Sequence, residues 1–322
     1  MRTNRRNFLR GVVMSAGLLG EASCSIWRHK PLPIPLPPAG AAGIEHIVIV
    51  TMENRSFDHF LGWLPNADGK QAGLTYQDLH GQTRATHRLA PDFTGCPNAV
   101  DNSYQIGRVE WDHGAMDGWL KTSANSLLAI GYYTEADQPF LSALARNYTT
   151  LDHHFCAILS STFPNRLFLY AAQTDRLDDT VSLVDLPTIL DHLASAGVSA
   201  RYYFSNLPFL ALWGLKYLLI ARTYGEFLED AASGHLPAVS FVDPAFTVID
   251  NGTGTDDHPH SDIRRGDAFL ARTFHALASS PAWQKTILIV IFDEWGGFFD
   301  HVAPPRAVAS NRVDSDLVDG KA

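Results

Sequence analysis

The chain has 322 residues, 46% of them hydrophobic and 18% charged, with a formal net charge of −9. That balance buries a full core and excludes disorder as the main state, and the length suits one large α/β domain or two modest ones. With no long basic run after the N-terminal arginines, the negative charge excludes nucleic acid as the main partner.

At the N-terminus, Arg5-Arg6-Asn7-Phe8-Leu9-Arg10 precedes an apolar segment, Gly11 to Gly20, too short to cross a bilayer as a permanent helix. It resembles a twin-arginine export signal, with 1–23 as the signal peptide. That implies passage through the twin-arginine machinery as an already folded protein, and a periplasmic or secreted location. Removing the signal leaves a still more acidic chain. Cys24 follows Ala22 and Ser23 as a lipidated cysteine does, although Glu21 is a poor residue for such a site. KPLPIPLPP at 30–38 favours extended polyproline geometry, so 24–42 reads as a linker and the fold starts near Gly43.

Ile44 to Leu64 organises the rest. Ile47 to Val50 is an unbroken apolar, β-branched run, as in a parallel strand covered on both faces, and it stops abruptly at Glu53, Asn54, Arg55 and Ser56. Ligands of open α/β sheets sit outside such strand ends. Glu53 and Asn54 offer oxygens to a hard or borderline cation; the competing reading makes them caps of a helix near Phe57 to Leu61.

The stretch 68–109 is polar and turn-rich and shows neither strand nor helix period. Trp111 to Trp119 holds His113 and two aspartates, as either a pocket rim or a glycine-broken loop pinned by tryptophans. Gln138 to Asn147 predicts an amphipathic helix and Tyr148 to Phe155 a short strand. Ser160, Ser161 and Thr162 precede Phe163-Pro164-Asn165-Arg166, a helix start with proline in its first turn. Helices are then predicted at 188–196, 224–232 and 264–278, and strands at 200–204, 238–242 and 286–292. This βα alternation predicts a mainly parallel sheet with helices on both faces. A polar loop carries Asp256-Asp257-His258-Pro259-His260. The last strand, TILIVIF, is read as a second buried strand and ends in Asp293-Glu294, two carboxylates that raise each other's pKa unless a cation sits between them. Cys96 and Cys156 fit either one disulfide or two buried thiols.

Taken together, ENRSFDH (53–59), MDGW (116–119), GYYTEADQPF (131–140), STFPNRLFLY (161–170), DDHP (256–259) and DEWGGFFDH (293–301) resemble the bacterial phosphoesterase family of phospholipases C and acid phosphatases. The resemblance covers Gly43 to about Pro305. It implies an alkaline-phosphatase-like fold, a three-layer α/β/α sandwich with its site at the strand carboxyl ends, and a catalytic domain over 43–305. It also implies Glu53, Asn54, Asp293 and Glu294 as ligands of a divalent metal ion, with Thr162 as metal-bound nucleophile. His258 and His301, and less directly His113, match histidines that contact phosphoryl oxygens or protonate the leaving group.

Threonine is a poor nucleophile at neutral pH, and a coordinated cation lowers its pKa while helix amides face the phosphoryl oxygens. Displacement would pass through phosphothreonine. Sulfatase chemistry is disfavoured because threonine does not give that class's aldehyde nucleophile. The expectation is an exported, metal-dependent phosphoric-ester hydrolase, phospholipase C ahead of a broad acid phosphatase, with a phospholipid or small phosphate ester as substrate and transient contact with a membrane surface. A non-catalytic binding protein on the same scaffold is the rival. The family pattern continues with a further strand-bearing segment, whereas 306–322 has no apolar period, so the reading expects a polar tail and a C-terminally incomplete chain.

Overall fold

The computed structural model describes residues 43–94, 100–122, 125–247, 252–259, 261–307 and 313. The signal, the linker after it, Cys24, Cys96, His260 and most of the polar tail lie outside the described residues.

Five parallel strands form the central sheet: β1 (His46–Met52), β6 (Ala200–Phe204), β7 (Ala221–Thr223), β8 (Val239–Val242) and β9 (Thr286–Phe292), in the order β7-β6-β8-β1-β9. Helices cover both faces, giving a three-layer α/β/α sandwich. One face packs Val48, Val50, Met52, Tyr203 and Val242 against α6 (Tyr224–Ser233) and α7 (Ile263–Ala278), with Leu141 of α3 (Pro139–Asn147). The other packs Tyr202 and Phe241 against Leu167 and Tyr170 of α4 (Thr162–Ala171) and Leu190 of α5 (Ile189–Ser195). Alternate residues of β1, β6 and β8 thus serve opposite cores, which is why β1 and β8 read as apolar runs.

β1 is an interior strand, between β8 and β9, and short α1 (Phe57–Leu61) follows it. The cap of α1 is Ser56, whose Oγ accepts from His59 N at 3.3 Å, so Glu53 and Asn54 are not its caps. α5 and α6 both begin with a capping box, at Thr188 and Thr223.

Three expectations are corrected. Tyr148–Phe155 is loop, not strand: Tyr148 and Leu151 are exposed and no neighbouring strand pairs with them among the described residues. The stretch 68–109 is not featureless, holding small strands β2 (Thr75–Gln77), β3 (Thr83–Ala85) and β4 (His87–Arg88), the last paired with β5 (Gly131–Tyr132), and the start of α2 (Tyr104–Trp111). β7, three residues long, has no apolar run to reveal it. β9 is apolar but is an edge strand, with Ile287 and Ile289 exposed on one face, so it is not buried on both. Cys156 carries a free thiol. No helix among the described residues is long and apolar enough to cross a membrane.

Candidate active site

Strand register builds the site. Met52 lies opposite Phe292, and Val50 lies opposite both Val242 and Val290, so Glu53, Asp243 and Asp293 leave adjacent strands at one end of the sheet. Asp293 N donates to Met52 O at 3.0 Å, extending the ladder one residue past β9.

Arg166, fully shut off from solvent, gathers these strand ends. Its Nε donates to Asp293 Oδ2 and its Nη1 to Asp243 Oδ1, both at 2.8 Å, and Nη2 lies 3.5 Å from Glu53 Oε1. Burial alone would lower its pKa; Asp243, Asp293 and Glu53 outweigh that and hold it well above the usual value. Tyr202 Oη donates to the other Asp243 oxygen at 2.6 Å. Neither Asp243 nor the role of Arg166 was singled out in the sequence, yet Asp243 ends its strand just as Asp293 does, and Arg166 lies one helical turn after Thr162.

The same helix delivers Thr162. Asn165 clamps the preceding loop, accepting from Ile158 N at 3.1 Å and donating to Ser160 O at 2.9 Å, so the Pro-Asn-Arg sequence sets both the loop and the cation. Thr162 Oγ1 donates to Glu294 Oε1 at 3.4 Å, whereas Ser160 Oγ turns away to Leu177 O. One amide of the first helical turn is occupied: Phe163 N donates to Asp179 Oδ1 at 2.8 Å.

Glu294 is the meeting point. Its Oε1 accepts from Asn54 Nδ2, from Asn102 Nδ2 at 2.7 Å and from Thr162. Burial, then the charges of Asp293 and Glu53, push its carboxyl well above the ordinary range. The turn beyond it requires glycine. Gly296 and Gly297 have φ of 69° and 78°, and a Cβ on Gly296 would lie 2.1 Å from Asn54 O.

The five residues expected to hold a metal are therefore brought together: Glu53, Asn54, Thr162, Asp293 and Glu294. Asn54 Oδ1 and Glu294 Oε2 are buried with no hydrogen-bond partner among the described residues, an arrangement that suits a cation. Asp293 is the most engaged of the set, since its Oδ1 also accepts from Asn54 N at 3.2 Å and Glu294 N at 2.9 Å. An all-oxygen set with three carboxylates fits a divalent ion.

The histidines divide. His258 is buried, on a loop tied to β1 by Glu53 N donating to Asp256 O at 2.7 Å. Asp256 itself anchors that loop through Thr247, and burial pushes its carboxyl up to about 6. His301 has both ring nitrogens engaged by carboxylates, Nδ1 with Asp58 at 2.7 Å and Nε2 with Asp68 at 3.0 Å. Apart from that cluster, Asp58, Asp300 and His301 are the group of acidic and histidine side chains among the described residues whose ligand atoms all lie within 4.8 Å of one another. His113 is exposed in a left-handed kink with its ring against Trp111, and no bond joins it to the five clustered residues among those described. Trp119 of the same loop is buried, so that loop is pinned as its tryptophans suggested.

The chain that forms this parallel α/β/α sandwich, with an acidic, hydroxyl-bearing cluster at its strand ends, is similar in sequence to known proteins. The sequence profile of the Phosphoesterase family matches residues 44–218 and 215–317, and the chain belongs to that family. Non-specific phospholipase C6 of Arabidopsis thaliana is 30% identical over 289 residues, 81% of this chain and 55% of the relative. Phospholipase C A of Mycobacterium tuberculosis is 32% identical over 331 residues, covering 84% and 61%. Non-specific phospholipase C1 of Arabidopsis thaliana is 32% identical over 293 residues, covering 81% and 54%. The chain thus spans little more than half the length of these relatives.

Proposed function

We propose that this chain is a divalent-cation-dependent phosphoric-ester hydrolase that cleaves phospholipids in the manner of a phospholipase C, with Thr162 as nucleophile. The observation that carries the reading is the Thr162 hydroxyl directed at Glu294 Oε1 beside two buried acceptor atoms, Asn54 Oδ1 and Glu294 Oε2, that lack hydrogen-bond partners. The names of the relatives support the substrate class.

Glu53, Asn54, Asp293 and Glu294 would hold the cation together with Thr162. When bound, it supplies neutralisation of the carboxylate cluster and Lewis acidity toward the phosphate and the hydroxyl. Thr162 Oγ1 attacks phosphorus in line, its proton passing toward Glu294 Oε1. The bond from phosphorus to the diacylglycerol oxygen breaks, and that oxygen takes a proton from His258. Water then attacks the phosphothreonine, releasing the phosphorylated head group and restoring the hydroxyl. Arg166 holds Asp293 and Glu53 in place and takes no part in the bond changes.

The test is turnover of phosphatidylcholine and of a chromogenic phosphomonoester by the full chain, before and after exhaustive chelation and with Mn²⁺ or Ca²⁺ restored. Phosphatidylcholine hydrolysis that vanishes on chelation and returns with metal is expected, with phosphate trapped on Thr162 by a slow substrate. Full turnover by verified metal-free protein, or label on Ser161, overturns it; activity on the monoester alone replaces the lipase by a phosphatase. Export by the twin-arginine route is proposed on the Arg5-Arg6 segment, and Arg5→Lys with Arg6→Lys should hold the chain in the cytoplasm on cell fractionation.

A further inference from the structure

Resting on the cation-binding reading above, we infer that Asn102 is a positioning residue of this site: its side-chain amide fixes which oxygen of Glu294 is presented to the cation. Asn102 Nδ2 donates to Glu294 Oε1 at 2.7 Å, the oxygen that also receives Asn54 Nδ2 and the Thr162 hydroxyl. Oε2 of the same carboxylate is buried and receives none. Three donors on one oxygen and none on the other make the group asymmetric, with its free lone pairs on Oε2. A carboxylate held this way binds a cation without first having to choose a rotamer.

The placement of Asn102 is built from both sides. Asp101 N donates to Asn125 Oδ1 at 2.9 Å, and Ser103 N, at the cap of α2, donates to Asp101 Oδ1 at 2.8 Å. Asn125 Nδ2 donates to Glu110 Oε1 at 2.7 Å, and the other Glu110 oxygen accepts from Trp295 Nε1 at 2.8 Å. A chain of hydrogen bonds therefore runs from the Asn102 segment to the residue directly after Glu294. On the opposite side, a Cβ on Gly297 would lie 2.7 Å from Asp101 O and 2.5 Å from Val100 Cγ1, so the turn after Glu294 rests on this segment backbone to backbone. With its main chain clamped between α2 and that turn, Asn102 has its amide aimed at Glu294 by construction.

Calorimetric titration of Mn²⁺ into the metal-free full chain, compared with Asn102→Ala and Asn102→Leu, tests this, with the melting temperature of each metal-free protein recorded alongside. Leucine keeps the volume and removes the donor, so a packing role is restored by it and a donor role is not. Both variants are expected to bind Mn²⁺ about tenfold or more weakly than wild type, at a melting temperature close to wild type. Wild-type affinity in Asn102→Leu overturns the inference and leaves the cation site standing. Failure of wild type to bind Mn²⁺ overturns the cation site itself. Should one variant not fold, the other decides; failure of both to fold overturns the inference, because Asn102 is then needed for the fold.

Discussion

Arg166 Nε and Asp293 Oδ2 meet at 2.8 Å with their side chains 0% and 1% exposed, making this ion pair the hub to which three strand ends are fastened. Replacing Arg166 by Met leaves Asp243, Asp293 and Glu53 with uncompensated buried charge. Losing one partner of such a pair costs about 3–5 kcal/mol. Urea denaturation of metal-free Arg166→Met should show that loss; a midpoint within error of wild type would mean that the carboxylates find other partners.

Asp179 occupies the Phe163 amide, one of the helix amides a phosphoryl oxygen is expected to use. Asp179→Ala vacates it and removes a negative charge from the neighbourhood of Glu294. Inorganic phosphate should then inhibit about tenfold more strongly, the equivalent of about 1.4 kcal/mol, since a charge-assisted hydrogen bond no longer competes. An unchanged inhibition constant would show that bound phosphate does not use this amide.

Glu110 is buried, and burial pushes its carboxyl up to about 8, with the bonds from Trp295 and Asn125 opposing the shift. The folded chain therefore holds this proton more tightly than the unfolded chain. Below the unfolded value, about 4.5, both states are protonated and no penalty arises. As pH rises from there to about 8, the unfolded chain releases the proton first and stability falls. Glu110→Gln cannot titrate. Its unfolding free energy should decline less steeply over that window, measured at fixed ionic strength, and parallel slopes for the two proteins would remove Glu110 as the source.

Gly296 sits against the Asn54 carbonyl at a positive φ. Gly296→Ala adds a methyl where backbone already stands, and the strain alone is on the order of 1–3 kcal/mol. The expected result is a lowered melting temperature together with weakened Mn²⁺ binding, because Asn54 and Glu294 are moved apart. Intact binding would show that the turn can shift without moving Glu294.

How much of this was legible depends on whether the signal was local. β1, β6 and β9 could be read almost to the residue, because continuous apolar β-branched or aromatic runs end at polar residues. Glu53, Asn54, Asp293 and Glu294 were legible as strand ends. Which strands are neighbours was not written in any one segment, so the edge position of β9 and the convergence of Asp243 and Asp293 on Arg166 stayed hidden. Tyr148–Phe155 shows the reverse failure: its aromatic and β-branched residues suggested a strand, but they found no partner to pair with. Asn102 gave no signal, since a half-buried asparagine in a polar stretch looks like any loop residue. The engagement of His301 stayed hidden because the carboxylate facing Nε2, Asp68, is 233 positions away.

The order of strands also sets a timetable for synthesis. β1 is the first strand made, yet its two neighbours are β8 and β9, the last two of the sheet. Asn54 and Asp293, joined by a hydrogen bond, lie 239 positions apart. At roughly 5–20 residues per second, tens of seconds separate their emergence from the ribosome. Until β8 is made β1 has no partner in the sheet, and until β9 is made one of its edges stays open, so holdase chaperones should engage the nascent chain mainly through 46–52. Glu53 and Asn54 are therefore the first residues of the site to be translated, and they wait for Asp293 and Glu294 before the site is enclosed.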